Sequence, residues 1–188
     1  EAADFLAMVE VGRAYEDGKN WGKQPKDRIW TGEKVPLIQL ERALSWFEKA
    51  ANQGNAEAQY RLAQLVMPGP FDDLPAADGN NVKKDLAKAI EWLDKAAKQD
   101  HPEALTRLGQ IYDDGNGVEI DRWKAFTHYT KAAELGHAQA QFVLGLKHYV
   151  GDIPRKTSPS EWDRLVYSVE PRDVAQALMW WQKAAAQG

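Results

Sequence analysis

Lys-Ala-Ala returns four times in this chain, at Lys49, Lys95, Lys131 and Lys183, and the residues around it return in register. Six positions before each Lys stands an alanine: Ala43, Ala89, Ala125 or Ala177. Three before it stands Trp46, Trp92, His128 or Trp180, and five after it Gly54, Asp100, Gly136 or Gly188. Upstream, Gly12, Ala63, Gly109 and Gly145 share a second column, preceded by Val11, Leu62, Leu108 and Leu144. Tandem repetition of paired apolar-periodic segments predicts an all-α fold, an α-solenoid of four helix-turn-helix units. The units fall at about 3–54, 55–100, 101–136 and 137–188, in one domain.

The most compact copy, residues 103–136, shows what each unit is. Ala104, Leu108, Ile111 and Tyr112 recur at helical spacing, so they share one face. Asp113-Asp114-Gly115-Asn116-Gly117 is a run of turn formers that ends this helix. Asp121 stands where an N-cap is needed, with a carboxylate able to accept from free backbone N–H groups. Asp85 and Asp173 keep that position, and Gln39 replaces it in the first copy. Ala125, Tyr129, Ala132 and Ala133 form the second apolar face, and Gly136 closes the second helix as a left-handed residue. The same reading predicts helices over 3–16, 37–53, 56–66, 85–98, 138–150 and 172–187.

Residues 104–136 fit a longer pattern, Ala104, Leu108-Gly109, Tyr112, Gly115, Gly117-Val118, Asp121, Lys124-Ala125, Lys131-Ala132-Ala133 and Gly136, which resembles the Sel-1-like repeat. That family is related to the tetratricopeptide repeat. The resemblance covers nearly the whole chain outside three insertions and implies the solenoid fold. It also implies a scaffold that holds other proteins. Some bacterial members are adaptors in signalling or export, and others are immunity proteins that neutralise secreted toxins. Fold alone does not select among these.

The insertions are the departure from regularity. The distance between the two columns is 22 residues in the third unit (109 to 131), but 37 in the first (12 to 49), 32 in the second (63 to 95) and 38 in the fourth (145 to 183). The surplus always lies between the two helices of a unit, so a solenoid collects it along one edge, where binding loops gather. Trp21, Trp30, Phe71, Trp162 and Tyr167 lie in these insertions. Aromatic side chains on a loop edge either fold back onto the helices or anchor an interface; with five of them on one edge, partner binding is expected there. Trp46, Trp92, Trp180 and Trp181 occupy repeat columns and read as core. Trp123 stands where other copies have Glu41, Ala87 and Ala175, so no core column requires it. Trp123 is therefore expected on an exposed ridge, and Trp181, although it shares a core column, at an exposed end. Leu178, Trp180 and Trp181 lie close to the last residue with no polar cap after them, so the chain is expected to continue or that end to dock.

Composition excludes several classes. Hydrophobic residues make up 44% and charged residues 28%, with a net charge of −4 and both signs interleaved. There is no basic footprint for nucleic acid, and no apolar run reaches the ~20 residues that span a bilayer. Cysteine is absent, which excludes disulfides and Cys-based metal sites. The start at Glu1 without Met fits either a removed leader or a shortened chain. A periplasmic or exported location is preferred to a cytoplasmic one.

Catalytic motifs are missing. Gly115-Asn116-Gly117 is the repeat's own turn rather than a phosphate loop. His101, His128, His137 and His148 fall in repeat columns without co-ligands at metal spacing. Asp72-Asp73 and Asp113-Asp114 read as solvated turn carboxylates, and Glu57 and Glu103 as first-turn acids that favour the helix dipole. No cofactor or metal is expected. The expected function is non-enzymatic binding of one or more proteins, in its sharpest form immunity to a cognate secreted toxin or effector. The alternatives are an adaptor or scaffold in envelope biogenesis, signalling or secretion, and an envelope hydrolase or glycan-binding protein.

Overall fold

The computed structural model describes residues 37–68, 84–154 and 172–187, with side chains from 44 onward. The described residues form seven helices and no strand: α1 Leu37–Asn52, α2 Ala56–Val66, α3 Leu86–Ala97, α4 Pro102–Asp114, α5 Arg122–Glu134, α6 Ala138–Val150 and α7 Val174–Ala185. The fold is an all-α repeat fold. Helix ends agree with the sequence expectation to within two residues. The expected helix over 3–16 lies outside the described residues, as do the insertions apart from Pro68 and residues 151–154. The chain divides into two compact units, Glu1–Gln99 and Asp100–Gly188.

In the first unit α2 and α3 form a hairpin and α1 packs on α2. Phe47, Ala50, Ala51, Ala58 and Leu62 make the core, with Leu44, Leu65, Val66 and Trp92 against it. The helix starts are fixed by side chains, as free N–H groups require. The Asn55 side chain accepts from Ala58 N at 2.8 Å, and Asp85 from Lys88 N at 3.1 Å. An amide relay running outward from the core ties the elements together: Gln59 Nε2 donates to Ala51 O at 3.1 Å, and Gln99 Nε2 donates to Gln59 Oε1 at 2.8 Å.

In the second unit α4/α5 and α6/α7 are hairpins, and α5 packs on α6. Ala104, Leu108, Ala125, Ala132, Ala140 and Ala177 are sealed from solvent. These alanines let the backbones approach, and the glycine column carries this further: a Cβ on Gly145 would run into the Trp181 indole. Asp121 accepts from Lys124 N and Asp173 from Gln176 N, each at 2.9 Å. His101 caps α4 through Nδ1, which accepts from Ala104 N at 3.4 Å. The amide relay recurs here, with Gln141 Nε2 donating to Ala133 O at 3.0 Å and Gln187 Nε2 to Gln141 Oε1 at 2.9 Å. The residue five after each Lys is left-handed in three copies: Gly54 at φ 94°, Asp100 at 60° and Gly136 at 90°.

Candidate functional site

The turn between α4 and α5 is the described inter-helix edge. Gly115, left-handed at φ 67°, ends α4, and Asp121 N donates back to Tyr112 O at 2.9 Å. This tight return leaves two large apolar side chains facing outward. Ile120, folded over Gly115, is 55% exposed, and Trp123 in the first turn of α5 is 38% exposed. The other aromatics expected on this edge, Trp21, Trp30, Phe71, Trp162 and Tyr167, lie outside the described residues.

The tryptophans of the repeat column are not uniformly core. Trp180 is buried, but Trp46 and Trp92 are only half-buried, and so is Trp181. The reason is helix geometry: at 100° per residue, Trp46 sits beside Phe47 at the margin of the buried stripe. Lysine ammonium groups lie over the ring faces, a cation–π arrangement. Lys49, Lys95 and Lys183 hold their ammonium groups 4.8, 3.8 and 4.4 Å from the ring centroids of Trp46, Trp92 and Trp180. In the third copy His128 replaces Trp and stacks on Tyr112 at 6.0 Å, and Lys131 pairs with Asp100 instead.

Asp113 is not the solvated turn carboxylate that its neighbours suggested. Lys147, whose side chain is 9% exposed, donates to Asp113 Oδ1 and to Asp152 Oδ2, both at 2.9 Å. Lys147 falls in a column that elsewhere holds Ala14, Leu65 and Ile111. A cation in an apolar column requires an anion nearby, and that was the signal available in the sequence. Tyr129 lies beneath, its ring centroid 5.9 Å from Lys147 Nζ. Burial, then the charges of Asp113 and Asp114, raise its phenol well above the ordinary value of 10.0. Burial lowers the His148 imidazole below its ordinary value of 6.5, although Asp173 acts in the opposite direction.

The last hairpin has an open apolar face. Phe142, Leu146 and Tyr149 on α6 and Leu178 on α7 are each roughly half exposed. Trp181 bridges the two helices, donating through Nε1 to Phe142 O at 3.2 Å, with its ring 5.7 Å from that of Tyr149. Its exposure is therefore partial, as is that of Trp123 at 38%.

Among the described residues no group of three or more His, Asp or Glu is placed to hold a metal ion. None of their helices is long and apolar enough to cross a membrane. His101 and His137, which share a column, are occupied by structure: His101 caps α4, and His137 Nδ1 lies 2.8 Å from Thr106 Oγ1. The described surface interleaves exposed charges with a few exposed aromatic and aliphatic side chains, a chemistry suited to binding.

The Sel1 repeat family model matches residues 6–29, 30–55, 56–101, 102–137 and 167–188. Its boundaries near 55, 101 and 137 lie within one residue of those given by spacing, and over 6–55 it finds two matches where spacing reads one unit with an insertion. Among solved structures, the chain is similar to a Sel1 repeat protein from Oxalobacter formigenes, with 25% identity and a TM-score of 0.64. The match covers 98% of this chain and 58% of that one. It is also similar to a protective antigen present in uropathogenic Escherichia coli strains and displaying an SLR fold, with 27% identity and a TM-score of 0.62. That match covers 100% of this chain and 31% of the antigen, so this chain spans only part of the length of both proteins. An immunity protein from Pseudomonas aeruginosa is more distant, with 20% identity, a TM-score of 0.41, and coverage of 98% of this chain and 66% of that one. No curated protein sequence matches significantly.

Proposed function

The chain belongs to the Sel1 repeat family and is a protein-interaction module, and from that premise we propose that it binds one dedicated protein and blocks it, as an immunity protein blocks a secreted toxin. Binding is non-catalytic and uses the edge where the helices of each unit are joined. The observation that carries this reading is the pair Ile120 and Trp123. Even the one unit without an insertion leaves two large apolar side chains partly exposed at this edge, and repeat spacing assigns Trp21, Trp30, Phe71, Trp162 and Tyr167 to the three longer connections. Exposed aromatics anchored on rigid helices are what protein interfaces use as hot spots. Bespoke connections in three units out of four suit one partner better than many, since a general scaffold gains nothing from irregular loops.

The test has two stages. The chain is used to capture its partner from native lysate, and the captured protein is expressed in cells with and without this chain. The expected result is one tight partner of fixed stoichiometry that arrests growth, with growth restored when this chain is co-expressed. Several partners at modest affinity, none of them toxic, would instead identify an adaptor and contradict the dedicated-inhibitor reading.

A further inference from the structure

Three connections of different length close in the same way. Asp85 N donates to Val66 O at 2.7 Å, Asp121 N to Tyr112 O at 2.9 Å and Asp173 N to His148 O at 3.1 Å. Val66, Tyr112 and His148 share one repeat column, and the three aspartates share another. Between the columns lie 18, 8 and 24 residues (67–84, 113–120 and 149–172). Each aspartate makes the same two further bonds. Its Oδ1 accepts from the backbone N–H three residues on, at 3.1, 2.9 and 2.9 Å. Its carbonyl accepts from the N–H of the sealed alanine Ala89, Ala125 or Ala177, at 3.0, 2.9 and 3.0 Å. One residue therefore ends the connection, starts the next helix and ties that start to the helix before.

The rest of each connection is not held constant. The chain leaves α2 at Met67 in extended backbone (φ −70°, ψ 133°), whereas α4 and α6 run on to the left-handed Gly115 and Gly151. The residue just before the aspartate has a different role in each hairpin. Lys84 Nζ donates to Leu65 O at 3.1 Å, Ile120 folds over Gly115, and the Arg172 guanidinium lies 5.6 Å from the Tyr149 ring centroid. A constant return point with variety immediately before it is what results when the frame needs only that the connection closes, and binding is left to choose its content. Length is nearly free as well. Closing 24 residues instead of 8 costs a factor of about five in the folding equilibrium, because closure entropy grows only with the logarithm of length.

We propose that Asp85, Asp121 and Asp173 close their connections whatever the length or sequence between, so that the connections are exchangeable elements that determine which partner is bound. The helices supply a frame that serves any partner. The inference rests on binding at the inter-helix edge, as proposed above, and adds where partner choice resides.

Exchange of connections within the full chain tests it. In one variant, residues 153–172 are replaced by a copy of Gly117-Val118-Glu119-Ile120. Gly151, Asp152 and Asp173 stay in place, and the last hairpin acquires a connection of the same 8 residues in length as the one before it. In the reciprocal variant, a copy of residues 153–172 replaces 117–120. Both variants should keep the helical circular dichroism of the parent and unfold in urea with an equilibrium constant within roughly tenfold of it. Hydrogen exchange should stay slow at the Asp121 and Asp173 amides. The protein that the parent captures from native lysate should bind each variant at least about 100-fold more weakly. Unfolding of either variant, or fast exchange at its aspartate amide, overturns the proposal and leaves the dedicated-partner reading standing. Folded variants that bind the captured protein as tightly as the parent also overturn it, because the connections would then not choose the partner. A parent chain that captures no single protein ends the dedicated-partner reading and this inference together, even with both variants folded.

Discussion

Tyr129 lies so close against Gly109 that a Cβ on the glycine would stand 2.8 Å from ring carbons Cδ1 and Cε1. The same two columns hold Ala63 with Leu93 in the first unit, and Gly145 with Trp181 in the last hairpin. Glycine accompanies the flat aromatic ring and alanine accompanies leucine. Gly109→Ala gains about 1 kcal/mol of helix propensity but forces a well-packed ring aside, at a cost of roughly 1–3 kcal/mol. The expected net effect is a loss of roughly 1 kcal/mol in urea unfolding. In a Tyr129→Leu background, which copies the Ala63/Leu93 pair, the same substitution should become stabilising. The sign reversal between the two backgrounds is the readout.

Leu108 and Asp121 separate packing from capping. Leu108 is completely buried, so Leu108→Ala should cost ~2–5 kcal/mol as a cavity. Asp121→Ala removes one cap hydrogen bond on the surface and should cost about 1 kcal/mol. Thermal and denaturant unfolding of the two variants measure both. A loss below about half a kcal/mol for Leu108→Ala would contradict this packing.

The Lys147 cluster should respond unevenly to its two carboxylates. Lys147→Ala leaves Asp113 in a largely enclosed site and should cost about 3 kcal/mol, the scale on which breaking a buried pair falls. Asp113→Ala should cost a comparable amount. Asp152 is 40% exposed on its side chain, where solvent screens the pair, so Asp152→Ala should cost less than about 1 kcal/mol. Equal losses at the two aspartates would show that Lys147 is more solvated than its contacts require.

Two groups should contribute to the pH dependence of stability. Burial and two aspartates raise Tyr129 in the folded state, so above pH 10 the unfolded chain releases this proton first. The stability contributed by Tyr129 is complete below its unfolded value and falls as pH rises from there toward the folded one. His148 is lowered by burial, so in acid the unfolded chain binds a proton that the folded chain resists. Stability falls as pH drops through the unfolded value toward the lower folded one. Tyr129→Phe should flatten the alkaline limb of a stability–pH curve, and His148→Tyr, the residue of the equivalent position in α4, should flatten the acid limb.

Most of the framework was legible because each local signal served one local need. The capping aspartates, the left-handed residue after each second helix and the small-residue columns are short-range requirements, and the chain repeats them in register. What the sequence concealed was contact between units of the repeat. Asp113 reads as one of a run of turn residues, and only α6 brings it Lys147, 34 positions away. The margin of the buried stripe was equally hard to see. Trp46 and Trp92 look like core because they recur in a repeat column, yet they sit one residue off the centre of the face, each with a lysine ammonium over its ring. At the turn between α4 and α5, Trp123 reads as an exposed ridge residue because no column requires it, whereas Ile120 gives no such signal: aliphatic residues in short turns have no periodic pattern.

The most direct test of the account is a comparison of three baits in native lysate: the chain itself, a Trp21→Ala/Trp30→Ala/Trp162→Ala variant and an Ile120→Ser/Trp123→Ser variant, with captured proteins identified by mass spectrometry. Neither variant changes a residue of the repeat columns read as core, although Trp123 lies in the first turn of α5, and both should keep the helical content of the parent. The account predicts one dominant partner with the parent chain, lost or sharply reduced with each variant. Retention of the same partners by all three baits would show that recognition runs through the regular helical faces, and the edge would then have no part in binding.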